Sequence, residues 1–376
     1  MNLRWRLLSL IIFFLSGLNF WGHYSFNWNK ARVTCFAKML LALLVTRTVN
    51  LNKIACSISS PADKASRYRR LQRFFAEVTI DFEMIAGFIF RLFFVTNGCW
   101  YLTMDRTNWK WGKADINILT LGIAFKGIAI PIYWELLDKR GNSDTEERIA
   151  LIQKFIDHFG KSCIAGLLAD REFIGQEWLG WLVNKQLPFW IRIKDNLLTT
   201  DSRGRPIKVK ALFRQLPLNH ELSLYGKRNI LGHELYVAGM RLVGDDYLIV
   251  VTPDYPGSAI SVYAYRWEIE TLFSCLKGRG FNFEDTHMID LQRVKKLMAL
   301  LAIAFCWAHK TGEWYHEQKP IKIKTHSRPA VSLFRYGLDY IVDILMNLFY
   351  KQNLFAACLD KIKPPQPDYA LHGPGV

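Results

Sequence analysis

The sequence predicts an α/β protein: a mixed sheet flanked by helices, with a helical region ahead of it and a β-rich insertion within it. Three observations predict this. Between residues 100 and 193, short apolar runs alternate with segments of helical periodicity. Two of those runs stop at an aspartate, and the stretch before residue 95 carries helical periodicity with no strand pattern. At 376 residues, a catalytic core with added segments is expected rather than one compact unit.

The amino terminus comes first. Met1 to Arg6 is basic and Leu7 to Phe20 is largely apolar, the layout of a signal peptide or short anchor. The run is too short to span a bilayer comfortably, and no small-residue cleavage site follows. A stray upstream start or a core helix is expected, a membrane role is not, and a chain starting near Phe26 should act as well as the whole. From Asn29 to Val78 the expectation is helical, with an apolar stretch over Phe36 to Val45. Beyond Pro61 follows a basic helix, Ser66 to Glu77, crowded with Arg67, Arg69, Arg70 and Arg73. Such a face suits phosphates and suits plain solvation equally well.

Trp100 to Met104 reads as a strand ending at Asp105, and Ile118 to Phe125 with Ile128 to Glu135 as a hairpin about Lys126-Gly127. Ser143 with Glu146 makes a capping box for a helix ending near Gly160. The run Cys163 to Ala169 ends at Asp170, and helical Gln176 to Gln186 leads into strand-like Pro188 to Ile193. The order strand, strand, strand, helix, strand, helix, strand is that of an RNase H-like core. Runs at Glu221 to Tyr225, Glu234 to Leu242 and Tyr247 to Thr252 mark the β-rich insertion. A helix from about Val262 to Lys277 follows, then a long apolar one, Asp290 to Lys310, expected to pack beneath the sheet. The tail from Pro364 has a disordered composition.

Lys plus Arg number 49 against 33 Asp plus Glu, and the net charge of +16 draws the chain toward polyanions. The 13 Trp beside basic residues suit opened DNA, where bases stack while phosphates are neutralised. Seven scattered Cys form no zinc-spaced pair, which fits a reducing cytoplasm.

Asp105 and Asp170 each end an apolar run, where an α/β sheet presents its functional groups. Either alone reads more readily as a helix or turn cap, but the first and fourth strands of an RNase H-like sheet are neighbours. Tyr263, Arg266, Glu270 and Lys277 lie at offsets 0, 3, 7 and 14, within an arc of roughly 60° on a regular helix. Glu268, the rival carboxylate, points about 160° from Glu270 on the same arithmetic and is expected to face solvent or pair elsewhere. Three carboxylates from two strands and a helix make an oxygen-only site suited to Mg²⁺ or Mn²⁺. Two such ions can assist an in-line displacement at phosphorus, with Arg266 and Lys277 on phosphates and Tyr263 on a phosphate or a base.

With these spacings the chain resembles the bacterial insertion-sequence transposases of the IS-four type, marked by a DDE triad and a Tyr-(2)-Arg-(3)-Glu-(6)-Lys signature. Tyr263, Arg266, Glu270 and Lys277 match that signature, and the blocks Thr103 to Trp109 and Ala169 to Phe173 resemble the two Asp motifs. The likeness runs from about residue 27 to 345. It implies that Asp105, Asp170 and Glu270 ligate the catalytic metals, two Mg²⁺ with Mn²⁺ as substitute. It also implies that the enzyme cuts both strands at transposon ends and pastes the free 3′-ends into target DNA. The partners implied are the terminal inverted repeats, target DNA and a second copy of the chain on DNA, in the bacterial cytoplasm at the nucleoid. Some members use an insertion Trp to hold a flipped base at a hairpin end. No Trp lies between Trp190 and Trp267 here, and Tyr225, Tyr236 and Tyr247 are left unassigned. Arg171 and Glu172 read equally as neighbours of the site or as the start of the next helix, and Phe173 and Trp109 as packing. Arg203 to Arg214 and Lys319 to Arg328 read equally as DNA-tracking stretches or solvated loops.

The expected divisions are 1–26 apolar extension, 27–95 helical and suited to DNA, 96–195 first part of the core, 196–261 insertion, 262–350 second part of the core and C-terminal helices, and 351–376 tail. The runner-up functions are an RNase H-like nuclease and a domesticated DNA-binding relative that does not transpose. A membrane-associated regulator would leave the three carboxylates unexplained.

Overall fold

The computed structural model describes residues 28–363 except 95–97, 202, 245, 255–256 and 326. The apolar run at the amino terminus and the tail from 364 lie outside the described residues.

Among the described residues four helices come first: α1 (Lys30–Thr46), α2 (Leu51–Ser57), α3 (Lys64–Glu77) and α4 (Phe82–Phe93). Each begins at an Asn or Asp (Asn29, Asn50, Asp63, Asp81) whose side chain accepts a first-turn N–H, satisfying a donor the helix cannot. On α3, Leu71, Phe74 and Phe75 are buried while Arg69, Arg70 and Arg73 face out. Strands β1 (Trp100–Trp111), β2 (Ala114–Phe125) and β3 (Ile128–Leu136) form an antiparallel meander. The β2–β3 turn is Lys126-Gly127 as expected, with φ of 51° and 90°, the positive pair that a two-residue type I′ hairpin requires.

Helix α5 (Thr145–Phe159) is capped one residue later than the pattern suggests, by Asp144 with Glu147. The Ser143 hydroxyl is taken by the Arg148 guanidinium instead. Then come β4 (Ile164–Ala169), α6 (Gln176–Asn184) and β5 (Phe189–Ile193). The insertion contains β6 (Leu198–Thr200), β7 (Pro206–Lys208), β8 (Glu221–Ser223), β9 (Arg228–Ile230), β10 (His233–Arg241) and β11 (Tyr247–Thr252). The chain closes with α7 (Ala259–Ala264), α8 (Trp267–Leu276), α9 (Leu291–Gln318), α10 (Leu333–Met346) and α11 (Gln352–Asp360).

The main sheet runs β3-β2-β1-β4-β5-β11-β10-β8, with β9 on β10. Its first five strands follow the RNase H-like order, with β1, β4 and β5 parallel. β11 joins β5 antiparallel, so β11 and β10 extend this sheet, while β6 and β7 form a separate pair.

The chain divides into two compact units, Thr96–Phe273 and the chain on either side of it, up to 95 and from 274. The first unit holds the main sheet, α5 to α7 and α8 as far as Phe273; the second is helical. Contrary to the expectation that α9 lies beneath the sheet, its principal partners are α10, α1, α3 and α4. The length of buried face on α9, from Val294 to Glu313, explains this: it is apolar on several sides and is enclosed by helices. Among the described residues no single helix is long and apolar enough to cross a membrane. The bent pair α1 and α2 has the length and composition together, with a break of 101°. Its apolar residues, such as Phe36, Leu43 and Ile54, are buried in the helical unit.

Candidate active site

The parallel ladder between β1 and β4 ends with Met104 opposite Ala169. The next residue on each strand is an aspartate, so the register sets Asp105 and Asp170 side by side. Asp170 leaves the end of β4 as expected. Asp105 does not end its strand: β1 continues to Trp111 on β2 alone, so Asp105 sits where the parallel partner stops. Each aspartate accepts the N–H of its successor, Arg106 and Arg171, at 2.7 Å.

The third carboxylate arrives on a broken helix. One helix was expected over residues 262–277, yet α7 and α8 are separated at Tyr265 and Arg266. There the N–H groups of Tyr265, Arg266, Glu268 and Ile269 donate three residues back, the tighter winding of a 3₁₀ turn. Helix α7 is anchored by a cluster of Ala238, Leu248, Val250, Ala259, Ile260 and Tyr263. Tyr263 is therefore buried, and its hydroxyl donates to Asp170 Oδ1 at 3.4 Å. It has no ring face free for a base, contrary to that part of the expectation.

Arg266 is 4 % exposed and joins two of the carboxylates, with Nη1 3.5 Å from Asp105 Oδ2 and Nη2 on Glu270 Oε1. The sequence therefore brings Asp105, Asp170, Tyr263, Arg266 and Glu270 together. Lys277 lies past the end of α8, in the helical unit, where its Nζ pairs with Glu284 at 2.6 Å. Glu268 is buried rather than solvent-facing and accepts the Gly127 N–H at 3.0 Å. Its neighbour Glu270 has a side chain 54 % exposed.

Burial pushes the Asp105 carboxyl up to about 7, helped by the Glu172 and Asp170 carboxylates, against the Arg106 N–H and the Arg266 charge. Burial likewise raises the Tyr263 hydroxyl and Glu268. For Arg266 burial works against the charge, but Tyr263, Glu270 and Asp170 outweigh it and hold its proton more tightly.

Sequence reasoning missed Arg106, whose guanidinium holds both Glu172 oxygens, at 3.2 and 3.3 Å, and Asn117 at 3.0 Å. This bidentate pair resolves the even choice over Glu172: it braces the strand beside Asp105. Arg171 stays exposed and Phe173 and Trp109 are packing residues. The signal available was that each partner follows a site aspartate by one or two positions. Of the three insertion tyrosines Tyr247 is buried and Tyr225 stands 85 % exposed.

The donor set of Asp105, Asp170 and Glu270 is all oxygen, the chemistry of a Mg²⁺ or Mn²⁺ site. Among the described residues no three such side chains already lie close enough to hold an ion. A guanidinium between two of them supplies positive charge instead. By donor chemistry alone the three carboxylates suit a divalent ion.

A family model described as the transposase DDE domain matches residues 102–307, more than half of the chain. No curated protein matches. Among solved structures, the cryo-EM structure of a piggyBac transposase synaptic complex with hairpin DNA is similar with a TM-score of 0.41 at 10 % identity, over 96 % of this chain and 84 % of that one. The family match spans both aspartates, Tyr263, Arg266, Glu270 and Lys277, and the chain belongs to the transposase DDE domain family.

Proposed function

We propose that Asp105, Asp170 and Glu270 are the metal ligands of this DDE transposase, an enzyme of divalent-metal-dependent DNA cleavage and strand transfer. The observation that carries the assignment is the register: Met104 opposite Ala169 makes the two aspartates neighbours, and Arg266 ties Glu270 to the first. Two Mg²⁺ ions, with Mn²⁺ as substitute, are the proposed complement. Bound there, they supply Lewis-acid activation of the attacking oxygen and stabilisation of the leaving one. The attacker is water or a DNA 3′-hydroxyl, with no covalent enzyme intermediate.

The chain's own residues orient this chemistry. Tyr263 holds Asp170 through its hydroxyl, and Arg106 with Glu172 braces β1. Tyr263, Arg266 and Lys277 remain the proposed phosphate-facing set, supported by the two cations. A phosphate must compete with Asp105 and Glu270 for Arg266 and with Glu284 for Lys277. The proposed partners are terminal inverted repeats and target DNA, gripped by a homodimer. The seven free cysteines support a cytoplasmic location, and the net charge of +16 supports a place at the nucleoid. The divisions 27–95 for DNA, 96–195 for the first part of the core, 196–261 for the insertion, and 262–350 for the second part of the core with the C-terminal helices stand as the proposed functional organisation, the helices from 274 on belonging to the helical unit.

The test is cleavage of duplexes copied from the DNA flanking the coding sequence, with Mg²⁺ and with Mn²⁺. Asp105→Ala, Asp170→Ala and Glu270→Ala should each lose roughly a hundredfold or more, beyond the 10–100-fold cost of outer groups, while melting stays cooperative. Retained cleavage in Glu270→Ala would remove that residue from the set.

A further inference from the structure

Glu268 lies two residues before Glu270 in the first turn of α8, where a polar side chain costs least if it faces water. It does not: the residue is 8 % exposed, its Oε2 is buried without a hydrogen bond of good geometry, and the backbone N–H groups in its favour are those of Gly127 and Phe125. A carboxylate oxygen in that state is costly, and local rules broken beside a site point to function more often than to accident. The other oxygen, Oε1, accepts the Gly127 N–H at 3.0 Å across 141 residues of sequence.

The donor is specific to the turn. In a two-residue hairpin closed by Phe125 opposite Ile128, the N–H of the second turn residue has no ladder partner. Glu268 supplies one. The hairpin tip is itself rigid toward the site, because β2 pairs with β1 from Leu102 opposite Ile123 to Trp111 opposite Ala114, with Asp105 opposite Thr120. A continuous path therefore runs from Asp105 through the β1–β2 ladder to Gly127, through Glu268 into α8, and so to Glu270. Buried Ile269 and Leu272 decide which face of α8 turns inward. Apolar burial is non-directional, however, and leaves the shift along the helix axis soft, whereas a hydrogen bond fixes it. The Arg266 bridge offers no lasting substitute, since a metal or phosphate at the site competes for it.

We propose that Glu268 is a positioning residue: by accepting the Gly127 N–H it ties α8 to the β2–β3 hairpin and holds Glu270 within reach of the ion that Asp105 shares. This rests on Glu270 being a metal ligand as proposed above. Glu268 is buried against the hairpin, so its loss should act through metal use and turnover and not through DNA affinity.

The experiment uses the full chain and the flanking-DNA duplex, and titrates Mg²⁺ in single-turnover cleavage beside DNA affinity and melting. Glu268→Gln keeps an acceptor oxygen and should cleave within about threefold of wild type at the same Mg²⁺ half-saturation. Glu268→Leu removes the acceptor and should lose 10–100-fold in turnover or Mg²⁺ affinity, the range of residues that orient ligands, with unchanged DNA affinity. Wild-type cleavage and Mg²⁺ dependence in Glu268→Leu overturns the proposal, as does a Glu268→Gln protein as impaired as the leucine variant. Should the leucine variant not fold, amide exchange in wild-type protein decides: protection of Gly127 supports the tie and free exchange refutes it. Glu270→Gln separates the two levels. If it cleaves, the ligand assignment fails; if it is dead while Glu268→Leu is normal, only the positioning role fails.

Discussion

Asp105 is under electrostatic tension. Its carboxyl is buried beside Asp170 and Glu172, with only Arg266 and one backbone N–H in its favour, and its proton is held up to about 7. In the unfolded chain that proton leaves near 3.8. Between those values the folded state binds a proton the unfolded state lacks, so this group's contribution to stability is full below about 3.8 and is lost as pH rises to about 7. The loss reaches at most roughly 4 kcal/mol at 1.36 kcal/mol per unit. Asp105→Asn carries no such charge. In EDTA its melting temperature, relative to wild type, should climb from pH 5 to pH 8, and parallel curves across that range would show that Asp105 is ionised throughout. The meeting of Asp105, Asp170 and Glu270 was legible because acids after apolar runs, and one acid at a fixed spacing from Tyr and Arg, are local patterns. The burial of Glu268 was not legible, since it depends on a hairpin tip 141 residues away.

Elements were legible where their period is uninterrupted. The β2–β3 hairpin, its Lys126-Gly127 turn and the Gly160 cap of α5 follow from residue type alone. The α7–α8 break does not, because an arc computed at about 100° per residue assumes α-helical winding, and the chain winds more tightly at Tyr265 and Arg266. The close crossing of α9 and α10 was hidden for a different reason: glycine inside a helix reads as a weakness, and only the neighbour reveals its use. A Cβ on Gly312 would run into the Leu333 carbonyl, and one on Gly337 into the Ala308 carbonyl. In an open helix Gly→Ala gains up to about 1 kcal/mol; here Gly312→Ala or Gly337→Ala should lose about 1–3 kcal/mol through overpacking against backbone. Urea unfolding followed by Trp fluorescence reads the sign directly, and a gain for both variants would mean the helices stand further apart.

Across the whole molecule, the net charge of +16 was legible at once, and the division into units was not. The helical unit is assembled from both ends of the chain, and no local pattern joins residues before 95 to those after 274. That assembly matters for the basic surface. Buried Leu71, Phe74 and Phe75 fix α3 so that Arg69, Arg70 and Arg73 face out, while Arg67 is occupied by the Ile58 carbonyl. Burial and the charge of Arg70 both pull down the proton affinity of Lys38, so cations are crowded here, and a polyanion would relieve the crowding. If these arginines meet DNA phosphates, each contact adds about 0.9 to the slope of log affinity against log salt. Arg69, Arg70 and Arg73 all changed to Ala should then flatten the slope by up to about 2.7 and weaken binding most at low salt. Melting should hardly move, because exposed side chains leave no buried partner stranded. A merely solvated face predicts the same melting curve with the slope intact, so affinity measured at four or five salt concentrations separates the two, and an unchanged slope takes α3 off the DNA path.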